Sequence, residues 1–496
     1  MAHIIGIQTR GRNVLAELDK RVPTSFYWSL TLLATLGGFL FGYDTANIGS
    51  ALPFVPYSLN GFALGYLVAG ASLGAAVGAL GAGPLADRFG RKSLLIADAL
   101  IYALGAILSA VTPNAAVLLV ARTLIGLAIG ADSAIATAYI AEYAPRDRRG
   151  ALSMLQQWMI TVGIVAAFLV ALLILWLLPH SAATLDWRLI LGVGAIPALI
   201  GLALRTRMPE SPRWLLRHER YAQTRAAMAK LGMEVSIEDV RHTARELEAA
   251  DQQGERTRRR SWTRGVRRAL IVVCVFFIFQ QITGINVPLY YGPKLLGPLF
   301  QAGSSKVAST MAGVEVTTII AAVNVIATYF AFRWIDKFGR RKLSMGGYAG
   351  MAVSGVVAGL GLLLLTGMPE IVVVMIALNA FVASFAIGVG GTGWLLQGEV
   401  FPTAVRGQAA AIAACVDWTA NFALVEVFPT WQTGIGLGWI MVCFAVLCLL
   451  AIAFINKFLP ETKNRSVEEV AAIFEQEAHA GGRGTSGTMS RGAATA

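Results

Sequence analysis

Long apolar stretches separated by short polar segments dominate this chain. Twelve mainly apolar stretches follow one another, at about 26–53, 61–85, 93–111, 115–141, 151–178, 188–206, 268–292, 308–334, 343–366, 371–398, 407–428 and 434–459. Each has about the 20 residues that a helix needs to cross a bilayer. Strands of a membrane barrel would instead alternate apolar and polar residues over about ten positions. The pattern predicts an all-α membrane protein with twelve transmembrane helices, here called spans 1–12.

Three short polar sequences repeat about half a chain apart, each beside a predicted span. They are 87–92 with 336–342, 142–150 with 399–407, and 209–211 with 460–462. In the first pair DRFGRK returns as DKFGRRK, and in the second an acid precedes Arg-Gly by seven residues both times. Repeats of this kind indicate that one membrane unit was duplicated head to tail. We therefore expect two six-helix bundles.

A single long polar segment divides the two predicted bundles. The expected organisation is an N-terminal segment 1–25, a bundle 26–206, a linker 207–267 with short helices at about 219–232 and 237–253, a bundle 268–459, and a tail 460–496. From about residue 478 the tail is rich in Gly, Ser and Thr, which predicts a disordered end. Two parallel six-helix halves are the layout of major facilitator transporters.

The placement of charge gives the orientation. Lys and Arg gather in the N-terminal segment, the linker, the tail and one set of loops, whereas the opposite loops at 112–114, 368–370 and 430–434 are nearly free of them. This bias places both termini and the linker in the cytoplasm of a cell whose plasma membrane the protein spans. The net charge of +12 would suit nucleic acid, but its distribution favours a lipid bilayer as the partner and no nucleic acid.

Composition excludes most other classes of protein. Hydrophobic residues make up 56% of the chain and charged residues 14%, against about 25% charged residues in soluble domains. All four cysteines fall inside predicted spans, so neither a disulfide nor a metal site is indicated. The five histidines lie outside the spans, and no nucleophile–base pair or phosphate loop is present. We expect no enzyme, no cofactor and no metal, and oligomerisation is not required.

Charged residues inside the spans are candidate functional sites because each is costly to insert. They are Asp44, Asp98, Arg122, Asp132, Glu315 and Asp417. We expect Asp44 and Arg122 to couple transport to protons, because burial and a nearby guanidinium shift a carboxyl pKa in opposite directions. A static ion pair between spans 1 and 4 is the alternative. Asp132 and Asp417 could be a second protonation site, substrate ligands or internal polar contacts.

Uncharged polar side chains form a second candidate set. They are Gln156, Gln157, Gln280, Gln281, Asn286, Asn324 and Asn421, accompanied by Trp394 and Trp418. Gln280 or Gln281 can share a helix face with Asn286, which lies six positions after the first and five after the second, between one and two helix turns. Carboxamides offer donors and acceptors to hydroxyl groups, and an indole offers an apolar wall to a ring. Such residues can also simply tie helices together.

Several motifs in order give the chain a family resemblance. They are GYD at 42–44, the paired loops at 87–92 and 336–342, YIAE at 139–142, PESPRWL at 209–215, QQITGIN at 280–286 and PETK at 460–463. Together they resemble the sugar porter family of the major facilitator superfamily over about residues 26–465.

The resemblance implies a fold and a set of roles. Sugar contacts are expected from Gln157, Gln280, Gln281, Asn286, Asn324, Gly390 and Trp394. The resemblance makes Asp44 the proton-coupling acid and Arg122 its partner. Asp417 and Trp418 are added as candidate substrate ligands; many bacterial relatives have glutamine in place of Asp417, and an acid there favours an amino-sugar, a polyol or another metabolite as the alternative.

The repeated loops predict a gate on the cytoplasmic side. Its candidate residues are Asp87, Arg88, Arg91, Glu142, Arg149, Asp336, Arg340, Arg341, Glu399 and Arg406. Ion pairs among them, formed across the two halves, would close the cytoplasmic face and break when the cavity opens there. Basic loops that merely fix orientation during insertion are the alternative.

The leading prediction is secondary active, proton-coupled uptake of a hexose or pentose by alternating access, with sugar and proton as partners. A proton-coupled importer of a non-sugar metabolite and a facilitative uniporter are the alternatives. A sugar sensor is a distant one, because sensors of that kind carry long signalling tails and this tail is short.

Overall fold

A computed structural model describes residues 12–18, 25–59, 61–143, 149–300, 305–402, 404–465 and 467–483. The helices in these ranges are α1 Val14–Leu18, α2 Ser25–Ala34, α3 Leu36–Ala51, α4 Gly61–Phe89, α5 Arg91–Val111, α6 Ala115–Tyr143, α7 Arg149–Leu177, α8 Trp187–Gly192, α9 Ala195–Arg205, α10 Pro212–Arg217, α11 Tyr221–Lys230, α12 Ile237–Ser261, α13 Arg264–Ile282, α14 Asn286–Phe300, α15 Lys306–Phe338, α16 Arg340–Leu364, α17 Met368–Phe385, α18 Thr392–Val400, α19 Arg406–Phe458 and α20 Val467–Arg483. The described part of the chain contains no strand.

The helices supply the twelve predicted spans. In the described residues, ten helical stretches are long and apolar enough to cross a bilayer. Span 1 adds an eleventh, divided at Thr35 into α2 and α3. The twelfth comes from α19, which turns at Gly436 (φ 80°, ψ 158°) and therefore holds spans 11 and 12. Spans 2 to 5 are α4 to α7, span 6 is α8–α9, span 7 is α13–α14, spans 8 and 9 are α15 and α16, and span 10 is α17–α18.

In both repeated loops a glycine precedes the next helix, and a glutamate that is distant in the sequence leaves no room there for a Cβ. Gly90 and Gly339 precede α5 and α16 with φ of 95° and 90°, a region that favours glycine. Glu210 accepts hydrogen bonds from the first backbone N–H groups of α5 at 2.9 and 3.1 Å. Glu461 does the same for α16 at 2.9 and 3.2 Å. The repeated PES and PET sequences therefore supply carboxylate caps for helix N-termini.

Close backbone contacts hold the helices of each half and the two halves together. A Cβ added to Gly163 of α7 would collide with the carbonyl of Phe39 and lie 3.0 Å from the backbone nitrogen of Tyr43 in α3. Between the halves, α4 packs on α19 and α7 on α15. At the ends of the spans away from the linker, a Cβ on Gly49 would stand 2.5 Å from the carbonyl oxygen of Tyr290 in α14. That face of the molecule, here called the far side, is closed.

The described parts of the linker and of the two terminal segments form surface helices on the opposite face, here called the linker side. In α12, Asp239 accepts a hydrogen bond from the backbone N–H of Arg12 at 2.9 Å, which holds the pKa of that carboxyl below its usual range. In α20, Glu475 accepts from the backbone N–H of Gly265 at 2.7 Å. The sequence analysis expected no order from about 478, whereas α20 continues to Arg483; residues 484–496 lie outside the described part.

We expect Gly163→Val to destabilise the protein, because the added side chain would force α3 and α7 apart beside Asp44. Overpacking of this kind costs about 1–3 kcal/mol. The melting temperature of the purified protein in detergent should fall. Gly83→Ala is the control, since a Cβ there has open space within 4 Å and should leave the melting temperature unchanged or slightly raised. Equal melting temperatures for both variants would contradict the close packing.

Candidate transport site

Asp44 of α3 faces Arg122 of α6 in the interior of the first half. The guanidinium donates to both carboxylate oxygens: Nη1 pairs with Oδ1, and Nη2 lies 2.8 Å from Oδ2. Nε donates to the carbonyl of Leu67 in α4 at 3.1 Å. The relative exposures of Asp44 and Arg122 are 1% and 0%. The structure brings the predicted pair together in a two-point contact, which the planar guanidinium makes and a lysine could not.

A second group of buried charges lies nearer the linker side. Arg205, the last residue of α9, has Nη1 2.8 Å from Asp98 Oδ1 and Nη2 2.6 Å from Asp132 Oδ1. It also donates to the carbonyls of Leu95 at 2.7 Å and Leu33 at 3.3 Å. All three charged side chains are buried. The sequence analysis did not single out Arg205, because a basic residue at a span end ordinarily extends to the interface.

A chain of amide hydrogen bonds crosses the second half. Gln281 Nε2 donates to Asp417 Oδ1 at 2.7 Å, and Gln281 Oε1 accepts from Asn286 Nδ2 at 2.8 Å. Asn286 Nδ2 also reaches Asn421 Oδ1 at 3.0 Å. Asn421 Nδ2 then donates to Ser72 Oγ, at 3.0 Å, on α4 of the first half. Four predicted or candidate ligands are therefore joined in one network, here called the amide chain.

The amide chain depends on a break in span 7. Helix α13 ends at Ile282, and Gly284 has a φ of 90°, so Asn286 opens a new helix instead of following two turns later on the same one. The sequence analysis placed Gln281 and Asn286 on one continuous helix face. Their contact is real, but the helix break brings it about. A Cβ on Gly284 would collide with the ring of Phe444, which is a second reason for glycine there.

Gln280 is held by the irregular turn of span 10. Residues Ala386–Gly390 form a π-helical turn between α17 and α18. Gln280 Nε2 donates to the carbonyls of Val389 and Gly390, both at 3.0 Å. A π-helical turn leaves carbonyls without their usual partners, and π turns occur often at functional sites. Among the described residues, the buried Oε1 of Gln280 has no hydrogen-bond donor.

Two tryptophans flank the polar groups. Trp418 packs edge-on against Phe41 of span 1, with 4.9 Å between ring centroids. Its buried Nε1 has no hydrogen-bond acceptor among the described residues. Trp394 of α18 packs against Phe277 of α13 at 5.5 Å. An indole of this kind presents an apolar face and one donor to a ligand.

Gln157 and Asn324 occupy the facing spans 5 and 8. Gln157 is half-buried on α7, and Asn324 is buried on α15 with its Oδ1 3.4 Å from Thr328 Oγ1. Among the described residues, neither is hydrogen-bonded to the amide chain. Their assignment as sugar contacts stays a prediction.

The repeated loops form ion pairs on the linker side. Arg91 lies 3.0 Å from Asp87 Oδ1 and 3.1 Å from Glu142 Oε1. In the second half Arg340 holds the corresponding acids at 2.8 and 2.7 Å; these are Asp336 and Glu399. The expected pairing across the halves is not what this structure shows for Arg91 and Arg340. Each pairs within its own half, because the acid four positions earlier and the glutamate of the adjacent span are nearer.

The other predicted gate residues have contacts in their own halves too. Arg88 lies over the ring of Phe89, Arg341 donates to Asn456, and Arg406 donates to the carbonyl of Phe401. The side chain of Arg149 lies outside the described residues. A role for these residues in gating stays a prediction.

Glu426 is a buried acid that sequence reasoning missed. It is 9% exposed in span 11, and a Cβ on Gly65 of α4 would lie 2.8 Å from its Oε1. The predicted span ended at residue 428, which put Glu426 at the interface. The helix continues to Gly436, so the acid is two turns deeper than expected. The glycine that ends span 11 was the available signal.

Twelve spans in two bundles, with polar side chains gathered between them, define a membrane transporter. Residues 30–474 match the sequence profile of a family described as "Sugar (and other) transporter". The chain belongs to this family, which confirms the predicted resemblance and fold and identifies it as a transporter and not an enzyme.

Individual relatives agree with this assignment. The glucose transporter GlcP of Staphylococcus epidermidis is 34% identical over 442 residues, 88% of this chain and 95% of GlcP. The arabinose-proton symporter of Bacillus subtilis is 33% identical over 480 residues, 93% of this chain and 99% of the symporter. The xylose transporter XylE from E. coli, in a partially occluded inward open conformation, superposes with a TM-score of 0.76 at 30% identity, covering 89% of this chain and all of XylE.

We expect Asn421→Ala to weaken substrate binding at least tenfold, because it removes the link between the amide chain and Ser72. Equilibrium binding to purified protein, with substrates from a sugar panel, measures the change. Thr419→Ala is the control: this exposed residue lies two positions earlier, and its hydroxyl contacts the carbonyl and the Sγ of Cys415 in its own helix turn. An equal loss in both variants would contradict a specific role for the amide chain.

Proposed function

We propose that this protein imports a hexose or pentose together with protons, by alternating access. The observation that carries the proposal is the position of α4 between two sites. Its Leu67 carbonyl receives Arg122, the partner of Asp44, and its Ser72 receives Asn421, the end of the amide chain. One helix therefore contacts the candidate proton site and the candidate sugar site. A change at either site can alter the fit of the other.

The polar groups of the second half suit a neutral, hydroxyl-rich ligand. Gln280 Oε1 and Trp418 Nε1 are a buried acceptor and a buried donor without partners among the described residues. Buried polar groups are rarely left in that state, so both are available to sugar hydroxyls. The names of the relatives, a glucose transporter and an arabinose-proton symporter, support a monosaccharide.

The first half supplies the chemistry of coupling. An ionised Asp44 holds Arg122 through two contacts and neutralises it in a dry environment. Protonation replaces this ion pair with a neutral acid, which cannot compensate the guanidinium charge. The loss of this ion pair then favours a rearrangement of spans 1 and 4. The proton thus selects between two arrangements of the bundle, as coupled transport requires.

The orientation follows from the basic residues of the linker side. We propose that this side faces the cytoplasm and that the membrane is the plasma membrane. Lys92, Arg207 and the linker residues Arg217 and Arg220 lie there, in agreement with the positive-inside bias. The far side is closed by α3 and α14, so alternating access predicts that the halves are apart on the linker side in this state, and the intrahalf ion pairs of Arg91 and Arg340 agree with that prediction. We infer that pairing across the halves forms when the linker side closes.

Uptake by purified protein in liposomes tests the function. A panel of hexoses, pentoses, inositol and amino-sugars is offered with and without an inward proton gradient. We expect one or more neutral monosaccharides to accumulate only with the gradient, and to exchange by counterflow without it. Uptake that merely equilibrates would identify a uniporter, and a panel without any transported sugar would overturn the substrate class.

We expect Asp44→Asn to abolish uphill uptake while counterflow exchange continues. The amide mimics a permanently protonated acid, so the empty protein cannot release a proton and return. Liposome accumulation and counterflow, measured in parallel, separate the two activities. Glu315 was a candidate by sequence, but its side chain is exposed on span 8, and among the described residues no hydrogen bond or ion pair joins it to either site, so Glu315→Gln is the control. Gradient-driven accumulation by the Asp44→Asn protein would contradict coupling at this residue.

Asp417 favours an amino-sugar as a second candidate substrate. It is a buried acid, 3% exposed, hydrogen-bonded to Gln281 at the start of the amide chain. A carboxylate there can accept from the ammonium group of an amino-sugar or from a hydroxyl. Asp417→Asn should lower the preference for an amino-sugar over its parent sugar at least tenfold if the ammonium binds there. An unchanged ratio in competition assays leaves the neutral sugar as the substrate.

A further inference from the structure

The buried group of Asp98, Asp132 and Arg205 contains one negative charge too many. A single guanidinium faces two carboxyl groups, at 2.8 and 2.6 Å, and all three side chains are at least nine-tenths buried. If both acids are ionised, an uncompensated charge remains inside the membrane, which is strongly unfavourable. If one of them carries a proton, the group is neutral.

The two carboxyl groups are placed to hold that proton jointly. Asp98 and Asp132 contact the same guanidinium group and line the same small cavity. Among the described residues, Oδ2 of Asp98 and Oδ2 of Asp132 have no hydrogen-bond donor. One bound proton would supply the missing donor to the pair. Neighbouring carboxyls that share a proton in this way titrate as a unit and not as separate residues.

The group lies on the linker side of the Asp44 site. Arg122 and Asp132 are ten positions apart on α6, which is roughly 15 Å along the helix. A small cavity lies beside the cluster, and its lining includes Leu40, Asp98, Tyr102, Asp132 and Arg205. Leu40 is about one helix turn before Asp44 on α3, so the cavity lies on the side of the cluster that faces the first acid.

The groups that contact the two carboxyls or Arg205 come from helices α2, α3, α5 and α9. Arg205 from α9 is the only cation among the described residues that contacts it, and Tyr102 of α5 is the other titratable neighbour on the cavity. Tyr102 donates its hydroxyl to the carbonyl of Leu40 in α3 at 3.1 Å. From α2 the carbonyl of Leu33 faces Arg205, and Gly37 of α3 packs directly against the Asp132 carboxyl.

We propose that Asp98 and Asp132, held by Arg205, form a second proton-binding site that receives the transported proton from Asp44 and releases it on the linker side. This inference rests on the proposed proton-coupled transport. In the transfer, the Asp44 carboxyl loses its proton and becomes the carboxylate that pairs with Arg122. The cluster gains the proton and changes from one net negative charge to none. Release to water on the linker side restores the original charge.

Two isosteric variants test the second site. Asp132→Asn leaves Arg205 paired with Asp98, and Asp98→Asn leaves it paired with Asp132, so each variant keeps a balanced buried pair and should fold. In liposomes we expect counterflow to continue in both, and gradient-driven accumulation to fall at least tenfold. Glu315→Gln, an exposed acid, is the matched control and should accumulate like the original protein. Accumulation at the original level by either cluster variant would overturn the proposal.

A spectroscopic measurement decides the question independently of transport. Infrared difference spectra of the purified protein, recorded through a pH titration, show the carbonyl band of each buried protonated carboxyl. We expect both cluster variants to lack one such band that the original protein and the Glu315→Gln control contain. Identical spectra would show that the cluster binds no proton. If the original protein accumulates no sugar, and the variants lack the band that the original protein shows, then the proposed function is wrong and the proton-binding site is supported.

Discussion

The buried ion pairs of Arg122 and Arg205 in the first half depend on guanidinium groups that are themselves fixed by backbone carbonyls. Arg122 holds Asp44 and donates to Leu67, and Arg205 holds two acids and donates to Leu95. An arginine that is hydrogen-bonded to carbonyls of other helices stays in place when its carboxylate partner is protonated and moves away. The charge on the carboxylate therefore controls how closely the helices can associate. Because unpaired charge is unfavourable inside the membrane, only helix arrangements that keep each buried charge paired are stable.

The two halves are alike in the loops and helix termini of the linker side and differ in the residues of their interiors. The ion pairs of Arg91 and Arg340, the glycines before α5 and α16 and the glutamate caps correspond closely between them. In the interior, guanidinium and carboxylate groups occupy the first half, whereas amides, indoles and the two acids Asp417 and Glu426 occupy the second. The duplicated fold thus contains a first half suited to binding a small charged species such as a proton and a second half suited to binding a neutral polar ligand.

The sequence predicted what depends on composition and missed what depends on helix ends. The twelve spans and the Asp44–Arg122 pair could be predicted, because charges are rare inside apolar stretches and so stand out. Arg205 and Glu426 could not, since both lay near predicted ends, where charge is ordinary. The break at Gly436 decides the depth of Glu426, and the break at Gly284 decides the contact between Gln281 and Asn286. The second break is accompanied by packing of Gly284 against Phe444, which leaves little trace in hydropathy.

The glutamate caps also impose an order on biosynthesis. Helix α5 begins at Arg91, but its cap Glu210 is 119 positions further along the chain, and the cap of α16 is 121 positions away. Each of these helices therefore enters the membrane with an uncapped N-terminus, while the basic residues of its loop, which fix the topology, are still uncovered. Only when the last span of a bundle has been made does its carboxylate close the terminus. The cap thus forms only after the bundle is complete. The loop whose basic residues fixed the topology then becomes part of the folded structure.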